Sequence, residues 1–349
     1  MNKTYFNRKK LVIYNLETNL DSELLSHCHD WILEFSKVFE EVIVYSTHVG
    51  RFELPKNVFV NPMGGGTLKK RVVAAFNLAN SLKLVFKHRK NLVVFHHMSA
   101  KTSAAIGFPI KLVGVPQGLW YSHSHAPISL KMSKHFVDYI FSSTPGAIPI
   151  NSRKNTYVGH AIAVPETFEL NLEEDAREGF VSLGRVVPIK RLEELLFVIS
   201  SLENIKASIT FIGSNSVNRE YSSYLIDIAE KKDLRLKFSD PIHHDNVFKS
   251  LQNFSIYFTG TPKSVDKATI EAAISGCLLV TDSESALELT GMNSIYGEKR
   301  LDLSEQIKFI LNMSTAQLMN ARRELSLISR ERNDLQKTIL KMTEKLLTN

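Results

Sequence analysis

Short β-rich runs alternate with helical patterns along nearly all of this chain, and the alternation restricts it to an α/β fold built from parallel strands. Parallel neighbours cannot be joined by a tight turn; each crossover needs a dozen or more residues, which the helical stretches supply. In the first half the pattern predicts strands at Leu11–Tyr14, Glu41–Ser46, Val58–Asn61, Leu92–His96, Lys111–Val115, Tyr139–Ser142 and Thr156–Val158. Helices are predicted between them at Asp21–Phe39, capped by Asp21 or Ser22, at Leu68–His88 and at Ile128–His135. The second half predicts strands at Phe180–Leu183, Ser208–Ile212, Leu236–Phe238, Ser255–Phe258, Leu278–Thr281 and Ser294–Tyr296. Its helices are expected at Leu192–Leu202, Asn218–Lys231, His244–Gln252 and Thr269–Ser275. After Arg300 no strand signal remains, and two or three helices close the chain, the last from about Arg330 to Leu347. Pro165–Arg177 is polar and acidic with a poor pattern, as a linker would be. The expected division is a first domain over 1–163, a linker over 164–177, a second domain over 178–325 and a last helical segment over 326–349 that returns to the first domain.

At 349 residues the chain is long enough for two cores. Cys28 and Cys277 stand far apart in apolar patterns, which excludes a disulfide framework and a zinc-ligand spacing and fits a reducing cytoplasm. Arg8-Lys9-Lys10 precedes apolar residues as in a signal peptide, but Asn15 and Glu17 break the run at once, so it reads as a first strand. No window approaches the roughly 18 apolar residues needed to span a bilayer. The net charge of +7 is uneven: residues 1–165 carry +11 and residues 166–349 carry −4. The densest basic stretch is Leu68–Lys90, where seven cations interleave with apolar residues. Two readings stand, a helix lying on an anionic membrane surface and a sheet-covering helix with a solvated basic face. Nucleic acid is not expected, because no stacking motif or DNA-reading module accompanies the charge.

Two constellations carry chemistry. Gly184-Arg185-Val186-Val187-Pro188-Ile189-Lys190-Arg191 joins a strand to a helix start and sets Arg185 and Lys190 where a strand ends, the place at which parallel sheets bind ligands. A planar guanidinium and a mobile ammonium suit a diphosphate there; the plain alternative is solvated surface. The second stretch, Thr259 to Ala273, is a strand end, a polar loop and a helix start near Asp266, whose unsatisfied backbone amides favour an anion. Glu271 could reach two vicinal hydroxyls, as a ribose presents; otherwise Asp266 is a cap and Glu271 a first-turn carboxylate. His96-His97, His123, His125 and His243-His244 resemble metal ligands only superficially: adjacent residues on a strand face opposite ways, and no carboxylate or Cys stands at a matching spacing. Met63-Gly64-Gly65-Gly66-Thr67 lacks the ending of a nucleotide-binding loop and reads as a flexible turn.

The order of these pieces, with Phe211-Ile212-Gly213, Tyr221, Leu225, Phe238 to His243 and Glu271 to Cys277, resembles the donor domain of retaining glycosyltransferases of family 4. Upstream, Asn15-Leu16-Glu17-Thr18, His96-His97-Met98, Trp120 to His123 and Gly159 to Ile162 fall where that family has acceptor-side loops and an interdomain junction. The resemblance implies the GT-B fold, two Rossmann-like domains facing across a cleft, with C-terminal helices packing back across them. It assigns Arg185 and Lys190 to the donor diphosphate, Glu271 to the nucleotide ribose, and His123 to the neighbourhood of the transferred sugar. Pro241, Ile242 and His243 would line the base; Gly184, Gly213, Asp266, Lys267, Ala268 and Thr269 complete the donor side. Asn15, Glu17, His97, Trp120 and Tyr121 belong to the acceptor side. The family's Glu, seven residues and second Glu would put an acid at 263, where this chain has Lys263; either Asp266 takes part of that role or the sugar is held differently. The junction's Gly-Ile-Asp is Ala161-Ile162-Ala163 here.

The activity implied is retaining transfer of a sugar from a nucleotide-diphosphate sugar to a saccharide or lipid-linked acceptor, in cell-surface polysaccharide or glycolipid synthesis. It would occur in the cytoplasm or at the inner membrane face, with no metal or other cofactor. A catalytically inactive nucleotide-sugar-binding subunit and a nucleotide-sugar epimerase of the same fold are the alternatives.

Overall fold

Strand β1 (Lys10–Thr18) shows how the first unit is built, because its alternate residues enter two different cores. The structure is a computed structural model and describes residues 9–348 except 23–24, 65–66, 124, 174–176, 203–206, 262–264 and 298; for residues 68–70 it describes the backbone alone. Leu11 and Ile13 pack with α1 (His27–Ser36) through Trp31, Ile32 and Phe35. Val12 and Tyr14 pack on the opposite face. The chain continues through β2 (Glu41–Val49), β3 (Val58–Pro62), α2 (Leu68–His88), β4 (Leu92–His97), α3 (Ala100–Leu112), β5 (Gln117–Trp120), α4 (Ile128–Ser133), β6 (Tyr139–Ser142) and β7 (Asn155–Tyr157). The seven strands pair in parallel in the order β3-β2-β1-β4-β5-β6-β7. β4 is buried along its whole length, as a central strand covered on both faces must be.

The second unit holds a five-stranded parallel sheet in the order β10-β9-β8-β11-β12. Its elements are β8 (Phe180–Leu183), α5 (Leu192–Ser201), β9 (Ser208–Ile212), α6 (Arg219–Lys231), β10 (Arg235–Ser239), α7 (Val247–Leu251), β11 (Ile256–Phe258), α8 (Lys267–Ile274) and β12 (Leu278–Val280). Helices α9 (Glu284–Thr290), α10 (Met292–Ile295), α11 (Leu303–Leu311) and α12 (Thr315–Asn333) complete it. The last helix, α13 (Leu335–Leu347), belongs to the first unit, where Leu335, Ile339, Met342 and Leu346 join the α1 core. Contacts divide the chain into residues 1–163 with 334–349, and residues 164–333. Residues 164–177, read from the sequence as a linker, therefore cluster with the second unit. α11 and α12 stay in that unit as well, and of the closing helices α13 alone packs in the first.

The structure corrects three local expectations. Lys111–Val115 is not a strand: α3 runs to Leu112, Gly114 turns at φ +73°, and the strand follows at Gln117. Pro109 inside the helix hid it from the pattern. Ser294–Tyr296 is not a strand either: Ser294 and Ile295 end α10, and Tyr296 just beyond it donates its hydroxyl to the Leu279 carbonyl. Helix α1 begins at His27, and neither Asp21 nor Ser22 caps it; Asp21 instead pairs with Arg51 at 2.8 Å.

Candidate functional site

In the second sheet the strand order reverses direction between β8 and β11, and a ligand crevice opens beyond the carboxyl ends of strands at such a switch point. Both constellations singled out from the sequence lie there. Just past β8, Gly184 has φ +131°, and its amide donates to the Ile212 carbonyl at 2.8 Å. Gly213 has φ +145°, and a Cβ there would lie 2.0 Å from the Gly184 carbonyl oxygen. Only glycine lets the β8 and β9 ends approach this closely. Gly213→Ala is expected to lower the unfolding free energy by about 3 kcal/mol, from a left-handed backbone plus a backbone clash. Gly114→Ala, where φ is also positive but the space is open, should cost about 1 kcal/mol in the same urea titration.

Past Gly184 the loop is fastened at both ends. Val186 is buried, and Arg191 adopts a left-handed conformation (φ +49°) while pairing with Glu194 and, at 2.9 Å, with Asp282. The next amide, of Leu192, donates to the Tyr221 hydroxyl at 2.8 Å. Arg185 between these anchors is exposed, and among the described residues it has no ion-pair partner. Lys190 pairs with Asp266, which also accepts a 2.9 Å hydrogen bond from Thr261. That pair joins the β8 loop to the start of α8. Asp266 thus stands at the cap position without capping by its side chain, because its carboxylate is turned to Lys190.

Glu271 lies one turn into α8 and is only 4% exposed. Its Oε1 is 3.2 Å from the Lys267 ammonium, but the angle is not that of a hydrogen bond, so this oxygen and Thr269 Oγ1 are buried without a hydrogen-bond partner. Two acceptors left open in this way are suited to a ligand's hydroxyl groups. From behind, the C-terminal end of α8 is held by cations and a hydroxyl. Arg177 donates to the Ser275 carbonyl at 2.8 Å, Arg322 to Gly276 at 2.7 Å and Ser326 to Ile274 at 2.6 Å, which suits the negative end of the helix dipole. Pro241, Ile242 and His243 follow β10, with His243 exposed and 3.3 Å from Asp245. Lys263, like Pro262 and Ser264, lies outside the described residues, as do Gly65 and Gly66 of the Met63–Thr67 turn. Thr261 and Arg191 were not singled out from the sequence; Arg191 meets Asp282 across 91 residues, a pairing that no local pattern reports.

The first sheet has its own switch point, between β1 and β4, where Asn15 stands beside His97 in register. Asn15 is buried, its Oδ1 lies 3.2 Å from His97 Nδ1, and its amide donates to the Glu17 carbonyl at 2.5 Å. These three residues are brought together. Trp120 and Tyr121 are not: both are buried, Trp120 against Trp31 on the α1 face and Tyr121 in the opposite core, so neither offers a ring for stacking on a sugar. His123 is exposed in the loop after β5, where its Nδ1 accepts from the His125 amide at 3.0 Å. His96 and His97 face opposite ways, His96 stacked on Tyr14 and His97 against Trp31. Burial pushes them down to about 4 and about 3, so both are neutral at pH 7. Among the described residues no group of three or more His, Cys, Asp or Glu side chains could hold a metal ion.

The architecture is the GT-B fold of glycosyltransferases, two parallel-sheet units with helices on both sheet faces. Solved structures match it over nearly the whole chain. A glycosyltransferase from Rickettsia africae aligns with a TM-score of 0.70 at 13% identity, over 98% of this chain and 99% of that one. Sucrose-phosphate synthase from Thermosynechococcus elongatus gives 0.69 at 11% identity, over 97% and 98%. The Anabaena protein HepE in complex with UDP gives 0.67 at 12% identity, over 97% and 100%. No protein-family model and no curated protein sequence matches the chain.

Proposed function

We propose that this protein is a retaining glycosyltransferase that moves a sugar from a nucleotide-diphosphate sugar to a saccharide or lipid-linked acceptor in cell-surface polysaccharide or glycolipid synthesis. The observation that carries the reading is the Lys190–Asp266 pair, which ties a basic loop after β8 to the N-terminus of α8 at the switch point, beside the buried, open carboxylate of Glu271. Arg185 and Lys190 hold the diphosphate, the amides of Lys267 and Ala268 face its oxygens while that of Thr269 donates to the Asp266 carbonyl at 3.0 Å, and Glu271 takes the ribose hydroxyls. Pro241, Ile242 and His243 border the base.

During transfer the bond from the anomeric carbon to the diphosphate oxygen breaks, and its electron pair leaves with the diphosphate. Negative charge grows on that oxygen, and preorganised cations stabilise it more in the transition state than in the ground state. The acceptor oxygen bonds to the anomeric carbon on the same face, and its proton passes to the leaving phosphate. No metal is needed, since two cations and the helix amides meet the charge. With the acid at 263 replaced by Lys263, Asp266 offers its remaining oxygen to a sugar hydroxyl. His123 is assigned to the transferred sugar and is tested separately by His123→Ala.

Titration with nucleoside diphosphates and their sugars, read by thermal shift, tests the donor site. Ligand at 100 times its dissociation constant stabilises by about 2.7 kcal/mol, and Arg185→Ala should abolish most of that shift. UDP and UDP-glucose come first, because HepE is described in complex with each. The absence of a shift with every nucleotide, in a folded protein, would overturn the reading. Binding without release of nucleoside diphosphate to any acceptor, water included, would turn it into that of an inactive binding subunit.

A further inference from the structure

From Leu54 to Val137 the chain contains no Asp or Glu but twelve Lys and Arg. Three of its helices, α2, α3 and α4, cover the same face of the first sheet: Val85, Ile106 and Ile110 meet Val12 and Tyr14, while Ala100 of α3 and Leu130 of α4 meet Leu119. Each turns outward an exposed apolar pair at the i,i+4 spacing that puts two side chains on one stripe. These are Val72 and Phe76 (62% and 65% exposed), Phe108 and Leu112 (54% and 70%), and Ile128 and Met132 (77% and 46%).

On α2 the stripe is continuous. At 100° per residue Val72, Phe76, Ala79, Lys83, Phe86 and Lys87 fall within one face, opposite Ser81 and Val85, which are buried against the sheet. From Arg71 to Asn80 no side chain of α2 is fully buried, and Leu78 is half-buried against the sheet core. Among the described residues no ion pair neutralises Arg71, Lys83, Lys87, Arg89 or Lys90. A polyanion alone would not require the apolar pairs, and an apolar protein partner would not require a run of cations free of acids. Both features are met together by a bilayer interface, where apolar tips enter the acyl boundary and cations meet phosphate headgroups.

We infer that the α2–α3–α4 face docks on a membrane surface carrying anionic phospholipids. This inference does not rest on the transferase reading, since binding is measured without donor or acceptor. Sedimentation of the full chain with vesicles of phosphatidylcholine containing about 30% phosphatidylglycerol should show at least about tenfold stronger partitioning than with phosphatidylcholine alone. Lys83→Ala with Lys87→Ala should weaken it by about 30-fold at low salt, and salt should weaken the parent protein likewise. Val72→Ser with Phe76→Ser should weaken it by about tenfold, as should Phe108→Ser with Leu112→Ser, while nucleotide-free thermal stability changes little, Phe108 giving up its ring contact with Phe136. Leu327→Ser, at a 63% exposed site on α12, should change nothing. Equal partitioning onto the two vesicles would overturn the inference. So would anionic binding that both serine pairs leave intact, which would make the face a general polyanion site.

Discussion

Lys190→Ala is expected to lower kcat with the nucleotide-sugar donor by about 10²–10³-fold, the loss seen when one preorganised donor to a developing anion is removed. On the proposed reading Lys190 meets the charge that builds on the diphosphate, and the ion pair with Asp266 holds its ammonium at the start of α8. A group that acts on charge appearing in the transition state affects kcat more than KM. Stability should change little, because the stranded Asp266 is about a third exposed and keeps its hydrogen bond from Thr261. Lys190→Arg, which preserves the charge but not its shape, should recover part of the rate. Unchanged turnover in a folded Arg185→Ala, Lys190→Ala double variant would remove both residues from the chemistry.

A second large effect concerns pH. His96 and His97 are buried with Nδ1 and Nε2, respectively, lacking hydrogen-bond partners, and burial lowers them from 6.5 to about 4 and about 3. A histidine whose folded value lies below its unfolded one takes up a proton on unfolding. The stability it contributes is therefore present above pH 6.5 and is lost as pH falls from 6.5 toward the folded value. Each residue costs about 1.4 kcal/mol per pH unit in that window, so from pH 6.5 to 5 the two together cost about 4 kcal/mol. Urea unfolding at pH 7 and pH 5 should show this loss in the parent protein. It should be much smaller in His96→Gln, His97→Asn. Equal pH dependence in the two proteins would show that other groups govern acid unfolding.

Periodicity made most of the fold legible, because a buried parallel strand such as Leu92–His97 and an amphipathic crossover such as Arg219–Lys231 leave separate marks. It failed where a local rule was broken for a tertiary reason. Pro109 interrupts α3, and Tyr296 is β-prone yet sits just beyond α10 with its hydroxyl tied to β12. The candidate donor site was readable in outline, since a cation after a strand and a carboxylate after a helix start are local features. Its closure was not. The Lys190–Asp266 pair spans 76 residues, and the turn of Asp266 away from capping depends on where Lys190 lies in three dimensions. Alternation along a strand puts Trp120 and Tyr121 on opposite faces, but no pattern could show that both faces are covered there and both rings buried.

The placement of α13 has a consequence for the order in which a ribosome can produce this fold. All seven strands of the first unit have been made by Tyr157, yet the face that carries Trp31, Phe35 and Phe95 is covered by Ile339, Met342 and Leu346. The second unit, whose elements run from β8 to α12, is synthesised entirely within that interval. The half of the protein that emerges first is therefore the half that finishes last, and it must wait with an apolar face uncovered through the making of some 180 further residues. Release of the nascent chain before α13 is out should leave a complete second unit attached to an aggregation-prone first one.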